Sequence, residues 1–495
     1  MKTIGNWFCV HLALALLTSV NAVGFHGLHF KGLKEPIWIG PRILDEKWIE
    51  QRLDHFNHRD NRTWQMRYYE EDRYFNHSGP IFIMLGGEWT INPGFLSNGL
   101  MHDLAKQHKA LMFYTEHRYY GNSRPTQNMS TDNMQYLNVD QALADVANFI
   151  DNIKFNKNIS DSKVVVFGGS YAGNMAAWIR IKYPHLIQGA VASSAPLYAK
   201  TEFHEYYELV TTSLKRYDAD CPTQVQRAFE TVEEILASEG GAEKIQSIFN
   251  LCKAPNIKSD DDIGFLMNFL SEIFAGPVQY NKVVNGKSSI GALCDVMLDR
   301  SKGEPIDRLA NLIDKAVKCP DAEYSKFVES MREIDWSYGA KPLLVMLSKR
   351  PRFTLATIDS VRQWYFQTCA AFRYYQTTSS NKTAFGSSVK LDLFVNICTD
   401  VFGKYYERSL VDYTVAKTNV DYGGRLPDVS NVIFVNGDVD PWHALSVLSD
   451  LNEFSPAILI RGSSHCQDLQ ADAKDDIPEL RAARKRIKSI VASWL

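Results

Sequence analysis

Ser170 lies between an apolar run, "VVVFGG", and a helix-like segment, "YAGNMAAW". A strand that turns into a helix within a few residues needs small neighbours, which Gly168, Gly169, Ala172 and Gly173 provide. Such a turn raises the hydroxyl above the edge of a sheet and directs backbone N–H groups toward an oxyanion. A glycine-rich turn that binds phosphate uses the same residue types, so the motif alone leaves both uses open.

Two residues much later in the chain have the types that would activate such a serine. A hydroxyl needs a base to become a nucleophile, and the base needs an acid to orient it. In α/β hydrolases both follow the serine, the acid before the histidine, on loops after later strands. Asp440 follows the apolar run "NVIFV", and His465 follows "AILIRGSS" after an interval that fits one helix and one strand. The sequence therefore predicts a nucleophile, acid and base in Ser170, Asp440 and His465.

Each of the two partners has a competitor. Asp438 precedes Asp440 by two residues and would lie on the same side of an extended segment, so spacing leaves the choice of acid open. A lone histidine is usually a surface residue, and that use of His465 also stays open. His443 follows Asp440 too closely to reach the serine from the far side.

An oxyanion in such a site needs backbone N–H donors from two places. The amide of Tyr171, directly after the serine, is the first candidate. The second should come from a loop after an early strand, and "MLGGEW" supplies Gly87 and Glu88, with Gly86 and Gly87 permitting close backbone approach. A plain tight turn would use the same glycines.

These residues need a scaffold that brings several strand ends together. Between Pro80 and Pro196 short apolar runs alternate with amphipathic ones, which predicts parallel strands joined by helices. Helix-like segments follow, with six cysteines between residues 221 and 398, and strand character returns at residues 431–442 and 455–466. We predict an α/β fold of the α/β-hydrolase type with a large helical cap between the serine-bearing and acid-bearing parts. The predicted parts are the first part of the core at residues 41–200, the disulfide-bearing cap at 201–405 and the second part of the core at 406–495.

Several features predict entry into the secretory pathway. Residues 1–22, with Lys2 before a short apolar run, are typical of a signal peptide, and no segment reaches the roughly 18 apolar residues of a membrane span. Seven cysteines follow, so at least one thiol is free or pairs between chains, and disulfides are the preferred use of the others because zinc-site spacing is absent. Cys466 is expected to be a buried free thiol, with a disulfide as the alternative. Five sequons are candidate glycosylation sites, at Asn61, Asn76, Asn128, Asn158 and Asn381.

The segments "GGSYAGNMAAW", "TEHRYYGNSRP", "NGDVDPWHALSV" and "IRGSSHCQDL" resemble the signatures of a family of proline-directed serine peptidases. That family includes lysosomal prolyl carboxypeptidase, dipeptidyl peptidase II and thymus-specific serine protease, and the likeness runs from about Trp38 to Leu495. "DPWH", "QWYFQTC" and "SHCQDL" are most similar to the thymus-specific branch. The resemblance implies an α/β-hydrolase core with a helical cap, lysosomal or secreted placement, and a triad of Ser170, Asp440 and His465. It thereby favours Asp440 over Asp438.

The resemblance also implies a substrate pocket. Relatives that cleave after proline have a tryptophan directly after the Asp-Pro pair and a methionine four residues beyond the serine. Trp442 matches the first position, but Asn174 occupies the second. Burying an amide without a partner costs about 1–3 kcal/mol, so a strict preference for proline is not expected. Met175 follows Asn174, but on a helix it points about 100° away.

The leading hypothesis is a secreted or lysosomal serine exopeptidase that acts on short peptides through an acyl-enzyme. An esterase or lipase with the same triad and a catalytically silent binding protein on a hydrolase scaffold are the alternatives. The net charge of -3 gives no general attraction to nucleic acid. As partners we expect peptide substrates, and we allow for a homodimer. We expect no nucleic acid, transmembrane segment, metal or cofactor.

Overall fold

The computed structural model describes residues 33, 35–284, 286–316, 319–336 and 360–495, so the expected signal peptide lies outside the described residues. Strands recur along both parts of the predicted core. They are β1 Lys47–Arg52, β2 Thr63–Glu71, β3 Ile81–Leu85, β4 Leu111–Thr115, β5 Val164–Gly169, β6 Gly189–Ser193, β7 Lys200–Glu202, β8 Val283–Val284, β9 Lys287–Ser288, β10 Arg373–Tyr375, β11 Val432–Gly437 and β12 Ala457–Ile460.

Helices separate most of these strands. They are α1 Leu100–His108, α2 Val139–Lys157, α3 Tyr171–Lys182, α4 Glu205–Tyr217, α5 Cys221–Leu236, α6 Gly241–Phe249, α7 Asp260–Gln279, α8 Ser289–Leu298, α9 Pro305–Ala316, α10 Tyr324–Met331, α11 Val361–Gln367, α12 Leu391–Phe402, α13 Arg408–Tyr422 and α14 Pro478–Trp494.

The core is an eight-stranded mixed sheet with the order β1-β2-β4-β3-β5-β6-β11-β12. From β4 onward in this order every neighbouring pair is parallel, as predicted for strands separated by helices. β1 and β2 pair antiparallel, and β2 runs antiparallel to β4. The sequence analysis did not anticipate this antiparallel edge. The predicted α/β-hydrolase fold class is confirmed.

The central strands β3, β4, β5, β6 and β11 are buried along their whole length. The sequences of parallel strands are continuous apolar runs because helices cover both faces of such a sheet. Here α1 packs against α14, while α2 packs against α3 and β1. The carboxyl ends of β5, β11 and β12 consequently meet at one edge of the sheet, where α/β proteins bind their ligands.

Helices α4 to α12 lie between residues 205 and 402, in the predicted cap. Three disulfides, Cys221–Cys294, Cys252–Cys319 and Cys369–Cys398, join segments of this region. β7 and β10 pair in a separate two-stranded sheet. The exact boundaries at 201 and 405 stay predictions. Over the described ranges, no helix combines the length and apolar content that would let it cross a membrane.

Candidate active site

Ser170 stands at the turn between β5 and α3, with φ 60° and ψ -133°. This left-handed backbone is costly for a residue with a Cβ, and it persists only where the surroundings impose it. A Cβ on Gly168 would lie 2.0 Å from the carbonyl oxygen of Ala172, and one on Gly173 would lie 2.7 Å from that of Ser193. Ser170 is partly exposed while both of its chain neighbours are buried. The glycines thus permit the predicted elbow.

Asp440 and His465 form a buried pair. His465 Nδ1 lies 2.7 Å from Asp440 Oδ2, and the backbone N–H of Trp442 donates to Asp440 Oδ1 at 3.1 Å. Nε2 of His465 has no hydrogen-bond partner among the described residues, so it is available for a proton from a nucleophile. Burial is the largest single effect and opposes a charge on the imidazole, but the Asp440 carboxylate and, to a smaller extent, Cys466 together raise the pKa of His465 above its ordinary value.

The competing side chains are engaged elsewhere. Asp438 accepts the Gly462 N–H at 2.7 Å and pairs with Arg216 at 3.0 Å. The imidazole of His443 bonds the backbone carbonyl of Asp440 at 2.6 Å. Between Asp440 and His465 the described structure contains one helix, the 3-10 helix Pro441–Leu445, and one strand, β12, as the length of the interval predicted. A short turn is sufficient because β11 and β12 are direct neighbours.

The serine elbow and the histidine loop adjoin. A Cβ on Gly169, directly before Ser170, would lie 2.9 Å from Sγ of Cys466, directly after His465. The Cys466 N–H donates to Oγ of Ser194 at 2.9 Å, which fixes the loop against the end of β6. Cys466 is buried and free, as expected. The segments that carry Ser170 and His465 are therefore in contact, as the triad prediction requires.

The end of α7 and the residues after it hold the histidine loop from the cap side. The His465 N–H donates to the carbonyl of Gln279 at 2.9 Å, and Gln467 donates to the carbonyl of Asn281 at 2.9 Å. The ring of Tyr280 packs edge-on to the imidazole, with centroids 5.4 Å apart. The sequence analysis missed these cap residues because no local motif marks a contact across such a separation.

The oxyanion candidates lie at the expected element ends. The Tyr171 amide begins α3, and the first amides of a helix have no intrahelical partner. Gly87 and Glu88 directly follow the Leu85 end of β3 and Gly86. The backbone of Glu88 acts on its own carboxyl group and lowers the pKa of that group, which makes Gly87 the preferred second candidate. Their role as donors stays a prediction.

The pocket candidates Asn174 and Trp442 are both buried and are linked by Tyr374. Asn174 Nδ2 lies 3.2 Å from the Pro196 carbonyl and 3.3 Å from the Tyr374 hydroxyl. The Tyr374 and Trp442 rings meet edge-on at 5.5 Å. Asn174 Oδ1 has no partner in the described structure. The Nδ2 group of the Asn174 amide is thus hydrogen-bonded within the protein, and the Oδ1 group is an acceptor without a partner among the described residues.

Other aromatic rings surround the Trp442 side chain, whose role in a substrate pocket stays a prediction. Phe203 and Tyr206 lie 5.5 and 5.7 Å from the Trp442 ring, and the Trp442 indole donates to Gln279 at 3.0 Å. The neighbouring Met175 instead lines a separate internal cavity. Trp442 therefore sits in an aromatic cluster, as a pocket for an apolar side chain requires.

Two further motifs of the resemblance meet behind the elbow. The Tyr171 hydroxyl lies 3.0 Å from Nε2 of His117, in "TEHRYYG", and 3.0 Å from Nε2 of Gln367, in "QWYFQTC". Tyr120 donates to the same Gln367 side chain. These contacts hold the side chain of the residue after Ser170, and so position the start of α3. The sequence analysis quoted both motifs without assigning them this role.

Glu88 gives a pH-dependent prediction. Burial raises its pKa to about 7 from an ordinary value of 4.5. The folded protein holds this proton more tightly than the unfolded chain does. Glu88 therefore does not lower the free energy of unfolding below pH 4.5, and it lowers that free energy by its full amount above pH 7. We expect Glu88→Gln to gain about 2 kcal/mol of stability relative to wild type between pH 5 and pH 8. Unfolding midpoints at both pH values measure this gain.

The matched control for that measurement is Glu239→Gln, a substitution of the same kind at an exposed position. Its difference from wild type should be the same at pH 5 and pH 8. A Glu88→Gln difference that is equally flat with pH would contradict the assigned cost of ionising Glu88.

Comparison with known proteins identifies the family of this chain. An α/β-hydrolase sheet with a buried aspartate and histidine pair beside a serine elbow defines the class of serine hydrolases. The chain belongs to the serine carboxypeptidase S28 family, which it matches over residues 51–487, and it is therefore a serine-type peptidase.

Individual relatives cover nearly the whole chain. Thymus-specific serine protease from Mus musculus is 34% identical over 92% of this chain and 89% of its own. Lysosomal Pro-X carboxypeptidase from Mus musculus is 27% identical over 90% and 88%. Among solved structures, proline iminopeptidase from Mycobacterium smegmatis matches at a TM-score of 0.37 with 11% identity over 90% and 98%, which adds nothing to the family match. The predicted family is confirmed.

Proposed function

We propose that the protein is an exopeptidase that hydrolyses short peptides, with Ser170 as nucleophile, His465 as general base and Asp440 as the group that orients His465. The observation that carries this proposal is the buried Asp440–His465 pair, in which Nε2 of His465 has no hydrogen-bond partner among the described residues. A structural histidine in a core would have a partner on both ring nitrogens. Cap residues that bond the histidine loop narrow the approach to it, which supports short peptides as substrates.

The reaction follows from the roles of these groups. His465 Nε2 takes the proton of the Ser170 hydroxyl as Oγ forms a bond to the substrate carbonyl carbon. The amides of Tyr171 and Gly87 stabilise the resulting oxyanion. The C–N bond then breaks as His465 gives the proton to the leaving amine, and water, deprotonated by His465, releases the acyl group from Ser170. The groups in this scheme are all protein groups and water.

The compartment we propose is the secretory pathway, with a secreted or lysosomal destination. Three disulfides are typical of an oxidising compartment. Among the sequons, Asn128 is partly buried and the other four asparagines are exposed, so glycans are sterically compatible with the fold. A homodimer stays a prediction.

Mass spectrometry of the wild-type protein after reaction with a fluorophosphonate tests the chemistry. We expect one modified residue, Ser170, and we expect prior modification to abolish cleavage of a mixed peptide library. Sequencing of the library products then identifies the residues beside the cleaved bond. Modification of another serine, or cleavage that persists after complete modification of Ser170, would refute the assignment.

Asn174 gives a prediction about specificity. Replacing Asn174 by Met removes the open amide acceptor from the pocket wall, while Tyr374 keeps its bond to the Pro196 carbonyl. We expect the ratio of kcat/KM for substrates with proline before the scissile bond to those with alanine to rise about tenfold, because a pyrrolidine ring then meets an apolar wall. Asn174→Leu should act in the same direction. An unchanged ratio in both variants would place Asn174 outside the pocket.

A further inference from the structure

The side chain of Glu88 is a buried carboxyl group that the proposed catalytic scheme does not use. It follows the Gly86–Gly87 loop at the end of β3 and is 7% exposed. Its Oε2 has no hydrogen-bond partner among the described residues. A buried polar atom without a partner is rare in a native protein and calls for an explanation.

The groups around Glu88 belong to the candidate active site. Electrostatic interactions connect its carboxyl group with His465 and with the phenols of Tyr120, Tyr171 and Tyr280. Burial raises the pKa of all three phenols above their ordinary value, so these neighbours are neutral. His465 is the neighbour whose charge lowers the pKa of Glu88. The carboxyl group is therefore within electrostatic range of His465 and of three neutral phenols.

Two other buried carboxylates of this core have a fixed cation. Glu116 accepts two bonds from Arg67, and Asp145 accepts two from Arg118. Such pairing offsets much of the cost of burying the charge. Glu88 has no lysine or arginine among the groups that act on its pKa.

A second buried acceptor without a hydrogen-bond partner among the described residues is Oδ1 of the pocket candidate Asn174. The orientation of this amide is set by its neighbours, because Nδ2 donates to the Pro196 carbonyl, which has no hydrogen to give. Two open acceptors favour a ligand rich in donors. A terminal α-ammonium supplies three N–H donors and a positive charge, whereas a terminal carboxylate supplies only acceptors.

We propose that Glu88 binds the α-ammonium group of the substrate, so that the enzyme removes residues from the amino end of short peptides. This inference rests on the proposed function, since it concerns substrates of the same serine. The bond between carboxylate and ammonium replaces the cation that the protein itself does not provide. A substrate held by its amino end places an early peptide bond at Ser170.

One peptide in four forms tests the inference: both ends free, amino end acetylated, carboxyl end amidated, and both ends blocked. We expect acetylation of the amino end to lower kcat/KM about 10- to 100-fold, because it removes a charge-assisted hydrogen bond. Amidation of the carboxyl end should change kcat/KM less than threefold. Glu88→Gln should lose the distinction between free and acetylated peptides, mainly through KM. Glu88→Asp, which keeps the charge, should retain part of it.

The matched control is Asp438→Asn, which removes a carboxylate two residues from the proposed acid and should keep the wild-type preference. Fluorophosphonate labelling of every variant separates the two proposals. Two results would overturn the role of Glu88 alone while Ser170 is labelled normally. One is a cleavage rate that depends on the free carboxyl end, and the other is a Glu88→Gln enzyme that still prefers peptides with a free amino end. Absence of labelling in wild type would overturn the proposed function itself.

Discussion

Replacing Ser170 by Ala is expected to lower kcat/KM for peptide hydrolysis by roughly 10⁵-fold or more and to leave the fold intact. Without the hydroxyl, neither the acyl-enzyme nor the proton transfer to His465 can occur. The Ser170 side chain makes no capping hydrogen bond to the start of α3, so its removal leaves no helix N–H newly unsatisfied. Steady-state kinetics on a peptide substrate, with unfolding midpoints measured in parallel, give both quantities.

Ser170→Gly is the companion variant that separates chemistry from stability. It should be as inactive as Ser170→Ala, but more stable by about 1 kcal/mol, because glycine adopts a φ of 60° without the cost that a Cβ imposes. Residual activity above about one part in a thousand in both variants would assign the nucleophile to another residue. Equal stability of the two variants would mean that the elbow is not strained.

The sequence could predict those parts of the site that depend on strand ends. Ser170, Asp440 and His465 each follow an apolar run that forms a strand; β5 and β11 are buried, and β12 is partly exposed. Parallel strands present their carboxyl ends at one edge, so residue type, order and position grouped Ser170 and His465 with an acid at the end of β11, and the family resemblance favoured Asp440 over Asp438. The small residues around Ser170 could also be explained locally, because a sharp turn from strand to helix leaves no room for larger side chains.

What the sequence could not predict depends on contacts between distant segments. Six cysteines permit fifteen pairings, and only the folded cap selects three disulfides from them. The bond from His465 to Gln279 crosses from core to cap, and no periodicity encodes it. Only the backbone N–H of Glu88 was predicted to have a role. The sequence does not reveal that folding buries the Glu88 carboxyl group and leaves one of its oxygens without a hydrogen-bond partner among the described residues.

Asp440→Asn is expected to lower kcat for peptide hydrolysis by about 10⁴-fold with little change in KM. The carboxylate bonds Nδ1 of His465 at 2.7 Å and also accepts the Trp442 N–H. An amide in this place keeps the shape, but it no longer stabilises the imidazolium and can select the wrong tautomer. Since Asp440 also raises the pKa of His465, the rate of fluorophosphonate labelling of the variant should reach half its maximum at a lower pH than in wild type.

Asp438→Asn is the matched control, with the same chemical change two residues away. Asp438 is bonded to Gly462 and Arg216, so we expect a change in kcat of less than about threefold, and no shift in the pH profile of labelling. If kcat falls as much in Asp438→Asn as in Asp440→Asn, or falls further, the assignment of the acid would be reversed. The pH profile makes the comparison decisive, because a merely structural weakening of the loop would lower the rate at every pH without moving the midpoint.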